Sequence, residues 1–314
     1  MEVPIKIKNH RWKQDVTGWL IMLPALILFA FFIWEPLFES VRLSLFAAKG
    51  YHTTDFVGLD NYIGLFANPD FAIAWKNTSL YVLCSLVIGF VVPIFMAAII
   101  TESPFLRGIT RVSVYMPNIL PGLAVVLIWK FLFNAGDTGV LNILLKPLGE
   151  LVAKISGQVY KPFNWLTAPG WAIPLIIVML TWKAAGSTAL IYMAGISGIN
   201  PDIIEAATID GAKPLRRFFS ITLPNLGSLI STMFILQIIS VFQILYEPMM
   251  IGGVHNNQVS VMMLVYEYAF DKQNYPKAAA MSVLICIALL FLTLIYFTVN
   301  KLVNRDDSKG RTKA

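Results

Sequence analysis

The sequence predicts an all-α integral membrane protein with six membrane-spanning helices and a helix-turn-helix elbow on its cytoplasmic side. Three observations carry that prediction. Of the 314 residues 57% are hydrophobic and only 13% charged, against about 25% charged in soluble domains. The stretches 16–34, 77–101, 112–129, 162–182, 184–201, 226–246 and 278–300 contain no Asp, Glu, Lys or Arg, and about 20 mostly apolar residues suffice for a helix to cross the hydrocarbon core. Positive charge collects in the short segments between them. Stretches 162–182 and 184–201 are separated by Lys183 alone. That leaves no turn, so they are read as one helix, roughly 170–197, with a lysine inside it, and six spans result.

Orientation follows from the lysines and arginines. With a cytoplasmic N-terminus, the inside segments 1–16, 101–112, 198–224 and 301–314 hold 14 of them, and the longer outside segments 35–76, 134–169 and 248–277 hold 8. Both ends are therefore expected inside. Residues 1–15, with Lys6, Lys8, Arg11, Lys13 and Trp12, read as a basic interfacial anchor, 16–300 as the six-span domain and 301–314 as a basic, frayed tail. The first span is too long for an ordinary signal-peptide core and no small-residue cleavage site closes it, so an uncleaved span is expected. The net charge of +6 belongs to orientation and not to nucleic-acid binding. Cys84 and Cys286 fall within spans without CxxC or zinc spacing and read as small core residues.

The external segment after the first span carries turn residues and no clear second domain. In 134–169, Leu141, Leu144, Leu145, Leu148, Leu151, Val152 and Ile155 have helical spacing interrupted by Pro147. This predicts a short amphipathic helix, lying on the external surface or packed on the bundle. Pro24, Pro93, Pro117, Pro121 and Pro174 lie inside spans. Pro117 and Pro121 are one turn apart beside Asn118 and Gly122, and two readings stand: a broken helix lining a pathway, or a static kink that improves packing.

The most informative stretch is 200–224, NPDIIEAATIDGAKPLRRFFSITLP. Asn200 suits a helix N-cap and Pro201 the first helical position. Asp202 and Glu205 sit in the first turns, where the helix dipole favours negative charge. Ala206 and Ala207 offer a surface that another chain can approach closely. Gly211 suits a helix end. Pro214 opens a second short helix, with Arg216 and Arg217 on its polar side and Leu215, Phe218 and Phe219 on its apolar side. Pro224 opens the fifth span. The product is a cytoplasmic elbow joined to two membrane helices.

Glu205-Ala206-Ala207, three residues, Gly211, nine residues, Ile221, one residue and Leu223-Pro224 resemble the EAA motif of binding-protein-dependent ABC importer permeases. Asp210 and Ala212 complete the EAAxxDGA form common in the carbohydrate branch. The likeness extends over most of the chain: residues 19–46 and GLDNY at 58–62 resemble the maltose-permease F-type subunit, Asn134, Gly139 and Asn142 fit a recurring external pattern, and Trp182 with Gly186 fits the fourth span. The chain departs from the pattern at Gly252-Gly253-Val254, where many relatives have Gly-Gly-Pro, and at Tyr275-Pro276-Lys277-Ala278, where Gly-Tyr-Ala is common.

The resemblance implies the type I importer fold in a bacterial cell membrane. It implies as partners a second homologous permease, two cytoplasmic ATPase subunits and an external solute-binding protein. It implies no cofactor on this chain, with ATP and Mg on the ATPase subunits. Glu205, Ala206, Ala207, Asp210 and Gly211 would then form the coupling contact. The implied solute is a carbohydrate, with glycerol-3-phosphate or a similar polar solute as the alternative. A self-contained carrier would have no need of the elbow. The chain has three histidines, at 10, 52 and 255, and no HExxH, GxSxG or GxxxxGK[ST], so the sequence offers no enzyme site and no P-loop.

Two features point to a path. Lys183 lies within a span, where an ionisable group is costly and a functional candidate by default; it faces a cavity, or it is held structurally by backbone carbonyls. Gln237, Ser240, Gln243 and Glu247 follow at helical intervals on the fifth span, flanked by Phe242 and Tyr246. They read as a polar stripe for a hydroxyl-rich solute, or as interhelical glue.

Overall fold

Long charge-free stretches become long helices because only internal backbone pairing satisfies N–H and C=O groups in lipid. The computed structural model describes residues 8–50, 52–102, 107–168, 170–252 and 258–311. Among these, the segments Asp15–Ser44, Pro69–Glu102, Ala172–Ser197 and Tyr275–Lys301 are long and apolar enough to cross a membrane. Two further pairs are bent, Val112–Ile119 with Gly122–Leu132 by 100° and Pro214–Asn225 with Gly227–Phe242 by 74°, giving up to six crossings if each pair counts as one. The stretches flanking Lys183 form a single helix, Ala172–Ser197. The break in the first of the bent pairs falls at Leu120 and Pro121, between helices Arg107–Ile119 and Gly122–Leu132.

The fold is mostly helical but not wholly so. Strands Phe46–Lys49 and His52–Phe56 pair antiparallel, with Phe46 opposite Phe56 and a register shift between Phe46 and Ala48. The Phe46 and Phe56 rings meet edge to face, centroids 5.3 Å apart. Asn61 anchors the hairpin by donating to the Ser44 and Phe46 carbonyls. Strands this short show no alternation to read, so from sequence alone the region predicts turns and no hairpin.

The helix expected within 134–169 runs Val140–Ser156 through Pro147. Buried Asn142 ties its start to the following loop: its Nδ2 donates to the Phe163 carbonyl at 3.0 Å, and its Oδ1 accepts from Trp165 Nε1 at 2.8 Å. Leu144, Leu148, Val152 and Ile155 are exposed. The last helix continues to Arg311, past Lys301, where a frayed tail was expected. Cys84 is half-buried and Cys286 exposed, so Cys286 is not a core residue. Residues 1–7, the Gly253-Val254 departure and 312–314 lie outside the described residues.

Packing is tightest where side chains are smallest. A Cβ on Gly186 would run into the Val114 carbonyl, so only glycine lets these two backbones approach. Toward the segment 200–226, Tyr192, Ala97, Ile196 and Phe218 share one buried cluster. At the other end of the bundle Leu65, Met263, Leu264 and Met281 form another.

Candidate functional site

Three elements enclose a cavity of about 270 Å³. Pro69–Glu102 contributes Ser85, Gly89 and Pro93, Ala172–Ser197 contributes Thr181 and Thr188, and the chain around Gly227–Phe242 contributes Gln237, Ser240, Gln243 and Glu247. Gln237 Nε2 donates to Ser85 Oγ at 2.5 Å. A Cβ on Gly89 would stand 3.1 Å from Gln237 Nε2 and 3.2 Å from both Ser85 Oγ and Thr181 Oγ1. Gly89 is thus the point on which three polar side chains converge. Thr181 Oγ1 donates back to the Ile177 carbonyl at 2.7 Å and Ser240 Oγ to the Gln237 carbonyl at 2.9 Å, which uses the donor of each hydroxyl and leaves its oxygen able to accept.

The expected stripe on one helix needs correction. The helix ends at Phe242, Gln243 caps it, and Tyr246 opens a separate helix, Tyr246–Gly252. The cause is Pro248. It has no N–H for the Ile244 carbonyl, and its ring would clash there in a continuous helix. Ser260 Oγ takes that carbonyl instead, at 2.7 Å. Gln237, Ser240, Gln243 and Glu247 nonetheless line the same cavity. Phe242 does not flank it openly: its ring is buried edge to face against Trp75. Lys183 and Tyr246 both approach Gly122, beside the break between Arg107–Ile119 and Gly122–Leu132. A Cβ on Gly122 would lie 3.5 Å from Lys183 Nζ and 3.7 Å from the Tyr246 ring. Sequence reasoning missed Ser85, Gly89 and Thr181. Their signal was small and hydroxyl residues within otherwise apolar helices.

The second candidate region is the segment 200–226. Asn200 Oδ1 accepts from the Asp202 N–H at 3.1 Å, with Pro201 at the first helical position of Pro201–Ile209. Gly211 has φ +76°; the Gly211 N–H donates to the Thr208 carbonyl and the Ala212 N–H to the Ala207 carbonyl. This is the left-handed helix stop for which glycine is best suited. Glu205, Ala206, Asp210 and Gly211 are exposed and Ala207 is half-buried. Ile209 and Leu215 are exposed beside them. Helix Pro214–Arg217 follows, then a π-helical turn Phe218–Thr222.

Opposite that segment, Glu267 is buried and pairs with Lys272 Nζ at 2.6 Å. The hydrogen bond to Glu267 holds the Lys272 ammonium above its ordinary pKa, against the opposing effect of burial. Lys272 also lies over the Tyr268 ring at 4.7 Å. Among the described residues no group of three or more His, Cys, Asp or Glu side chains is placed to hold a metal ion.

Residues 89–306 match the family described as "Binding-protein-dependent transport system inner membrane component". The chain is 30% identical over 290 residues to the lactose transport system permease protein LacF of Rhizobium radiobacter, covering 90% of this chain and 93% of that one. It is 28% identical over 304 residues to the diacetylchitobiose uptake system permease protein NgcF of Streptomyces coelicolor, covering 92% and 83%. Among solved structures, a chain of a bacterial alginate ABC transporter in complex with an alginate pentasaccharide-bound periplasmic protein superposes with a TM-score of 0.76 at 25% identity, over 93% of this chain and 96% of that chain.

Proposed function

The chain belongs to the binding-protein-dependent transport system inner membrane component family, and from that premise we propose that it is one permease subunit of an ATP-driven importer for a carbohydrate, an oligosaccharide in particular. A second permease completes the path. Two cytoplasmic ATPase subunits carry ATP and Mg, and an external binding protein delivers the solute. Both termini lie in the cytoplasm.

The observation that carries this reading is that one helix runs from each of two cavity walls to an end of the 200–226 segment. The Ala172–Ser197 helix runs from the cavity wall at Thr181 to Ser197, three residues before the Asn200 cap. On the other side Gly227–Phe242 returns from the segment to Gln237 and Ser240. In this reading 200–224 is a coupling elbow: Ala206 and Ala207 allow close approach by an ATPase subunit, Glu205 and Asp210 present charge, and Gly211 makes the turn. Movement of the elbow tilts both helices and opens the cavity to alternate sides. Amide and hydroxyl groups at 85, 181, 237, 240 and 243 suit sugar hydroxyls, which they would hold by individually weak hydrogen bonds and so release. Lys183 and Tyr246 line a further stretch of the path beside the break in the third span.

The test is uptake by the assembled transporter in vesicles, with labelled oligosaccharide supplied through the binding protein. ATP-dependent accumulation that requires this chain is expected. Uptake without ATP, or ATP hydrolysis by this chain alone, would overturn the proposal.

A further inference from the structure

The elbow is covalently continuous with two of the three cavity walls, and the third wall needs another connection. That wall is the Pro69–Glu102 segment, which carries Ser85, Gly89 and Pro93. Its last helix, Val91–Glu102, meets the 200–226 segment at two points. Arg217 Nη2 pairs with Glu102 Oε2 at 2.6 Å, while Arg217 Nη1 donates to Thr208 Oγ1 at 2.9 Å. One guanidinium therefore braces both helices of the elbow and ties them to the end of the neighbouring segment. The second point is aromatic: the Phe218 and Phe95 ring centroids are 5.3 Å apart, and Phe218 is buried. Phe95 and Glu102 are seven residues apart on one helix, about 10 Å at 1.5 Å per residue. Two attachments at that spacing resist rotation as well as sliding.

We infer that Arg217 and Glu102, with Phe218 on Phe95, form a clamp that drives the Pro69–Glu102 wall together with the elbow, so that all three walls move as ATP is used. Arg217 and Glu102 are positioning residues, since neither lines the cavity. The Arg217 side chain is only 14% exposed, and a charge so enclosed is costly once its partner is removed. Within the wall the helix passes through a π-helical turn, Ser85–Gly89, at the level of the cavity. Such turns break the regular ladder, and this one gives the clamped half a place to bend against the rest.

The inference rests on the importer reading, and two measurements on the assembled transporter separate them. In vesicles, Glu102→Gln is expected to keep ATP hydrolysis within about twofold of wild type while uptake falls about tenfold, raising the ATP used per solute. The charge exchange Glu102→Arg with Arg217→Glu should recover much of the lost uptake. An unchanged ratio of ATP to solute in Glu102→Gln would overturn the clamp. The second measurement leaves the clamp intact. Spin labels go on cysteines at exposed Ile99 and Ser220, with Cys84 and Cys286 replaced by serine, and their distance is read without nucleotide and with ATP bound. A distance constant to about 2 Å supports the clamp, and a change above about 5 Å overturns it, whatever the substitutions do. A wild-type assembly that takes up nothing on ATP would instead remove the importer reading.

Discussion

Ser260 Oγ donates to the Ile244 carbonyl at 2.7 Å and so satisfies the backbone oxygen that Pro248 leaves open. Ser260 is fully buried, and the same Oγ accepts from the Met263 N–H at 3.2 Å as the N-cap of Val261–Tyr266. One hydroxyl thus supports both the chain just after the helix end at Phe242 and the start of Val261–Tyr266. Ser260→Ala removes both bonds and is expected to cost about 2–3 kcal/mol. Thermal unfolding of the purified chain reads the loss. A variant within about 0.5 kcal/mol of wild type would mean that Ser260 does not hold this bend.

Gly89 concerns the cavity itself. The polar atoms around it stand at 3.1 to 3.2 Å from where a Cβ would be, closer than ordinary van der Waals contact. Gly89→Val forces Gln237 and Ser85 apart and fills the convergence point. Uptake is expected to fall about tenfold or more with the subunit still present in the membrane. Uptake unchanged in Gly89→Val would place the solute elsewhere.

For coupling, Gly211 is the sharpest probe. Its φ of +76° costs a residue with a Cβ about 1–2 kcal/mol. Proline is excluded there by its fixed φ, and it also lacks the N–H that reaches the Thr208 carbonyl. Gly211→Ala should transport at a reduced rate and Gly211→Pro should not transport. Binding of solute to the external protein should stay intact in both. Full uptake by Gly211→Pro would count against the elbow.

Lys272 gives a prediction with a pH sign. Its side chain is 45% exposed while that of Glu267 is 4% exposed. Lys272→Met leaves a buried carboxylate unpaired, but screening by solvent reduces the expected loss to about 1–3 kcal/mol. The folded state raises the Lys272 pKa. Its contribution is therefore fully present below the ordinary lysine pKa of about 10.4 and is lost as pH rises through the raised folded value. Unfolding midpoints of wild type and variant should differ at about pH 8 and converge only in stronger alkali. A difference that vanishes already near neutrality would refute the pairing.

Local chemistry was legible in advance. The single helix around Lys183 followed from the absence of any turn, and the Asn200 cap and Gly211 stop followed from residue type and position. What depended on distant residues was not. Ser85 and Gln237 are 152 positions apart, and no helical period along either segment announces their meeting. The end of the Gly227–Phe242 helix lay in between. Pro248 was visible, but a proline can equally kink a span that continues, and Ser260 as the compensating donor appears only in three dimensions. The hairpin at 46–56 escaped because four or five residues per strand carry too little pattern.

Every residue from Asp15 to Glu39 is exposed. Trp19 and Trp34, two of the eight tryptophans, lie on this stretch, at 64% and 46% exposure. Their emission will report the amphiphile around the purified chain more than its folding. A melting curve recorded from total tryptophan fluorescence will therefore mix detergent rearrangement with loss of structure. Replacing both with phenylalanine leaves Trp12, Trp75, Trp129, Trp165, Trp171 and Trp182, of which the last five contact aromatic rings on other parts of the chain and report more of its folding.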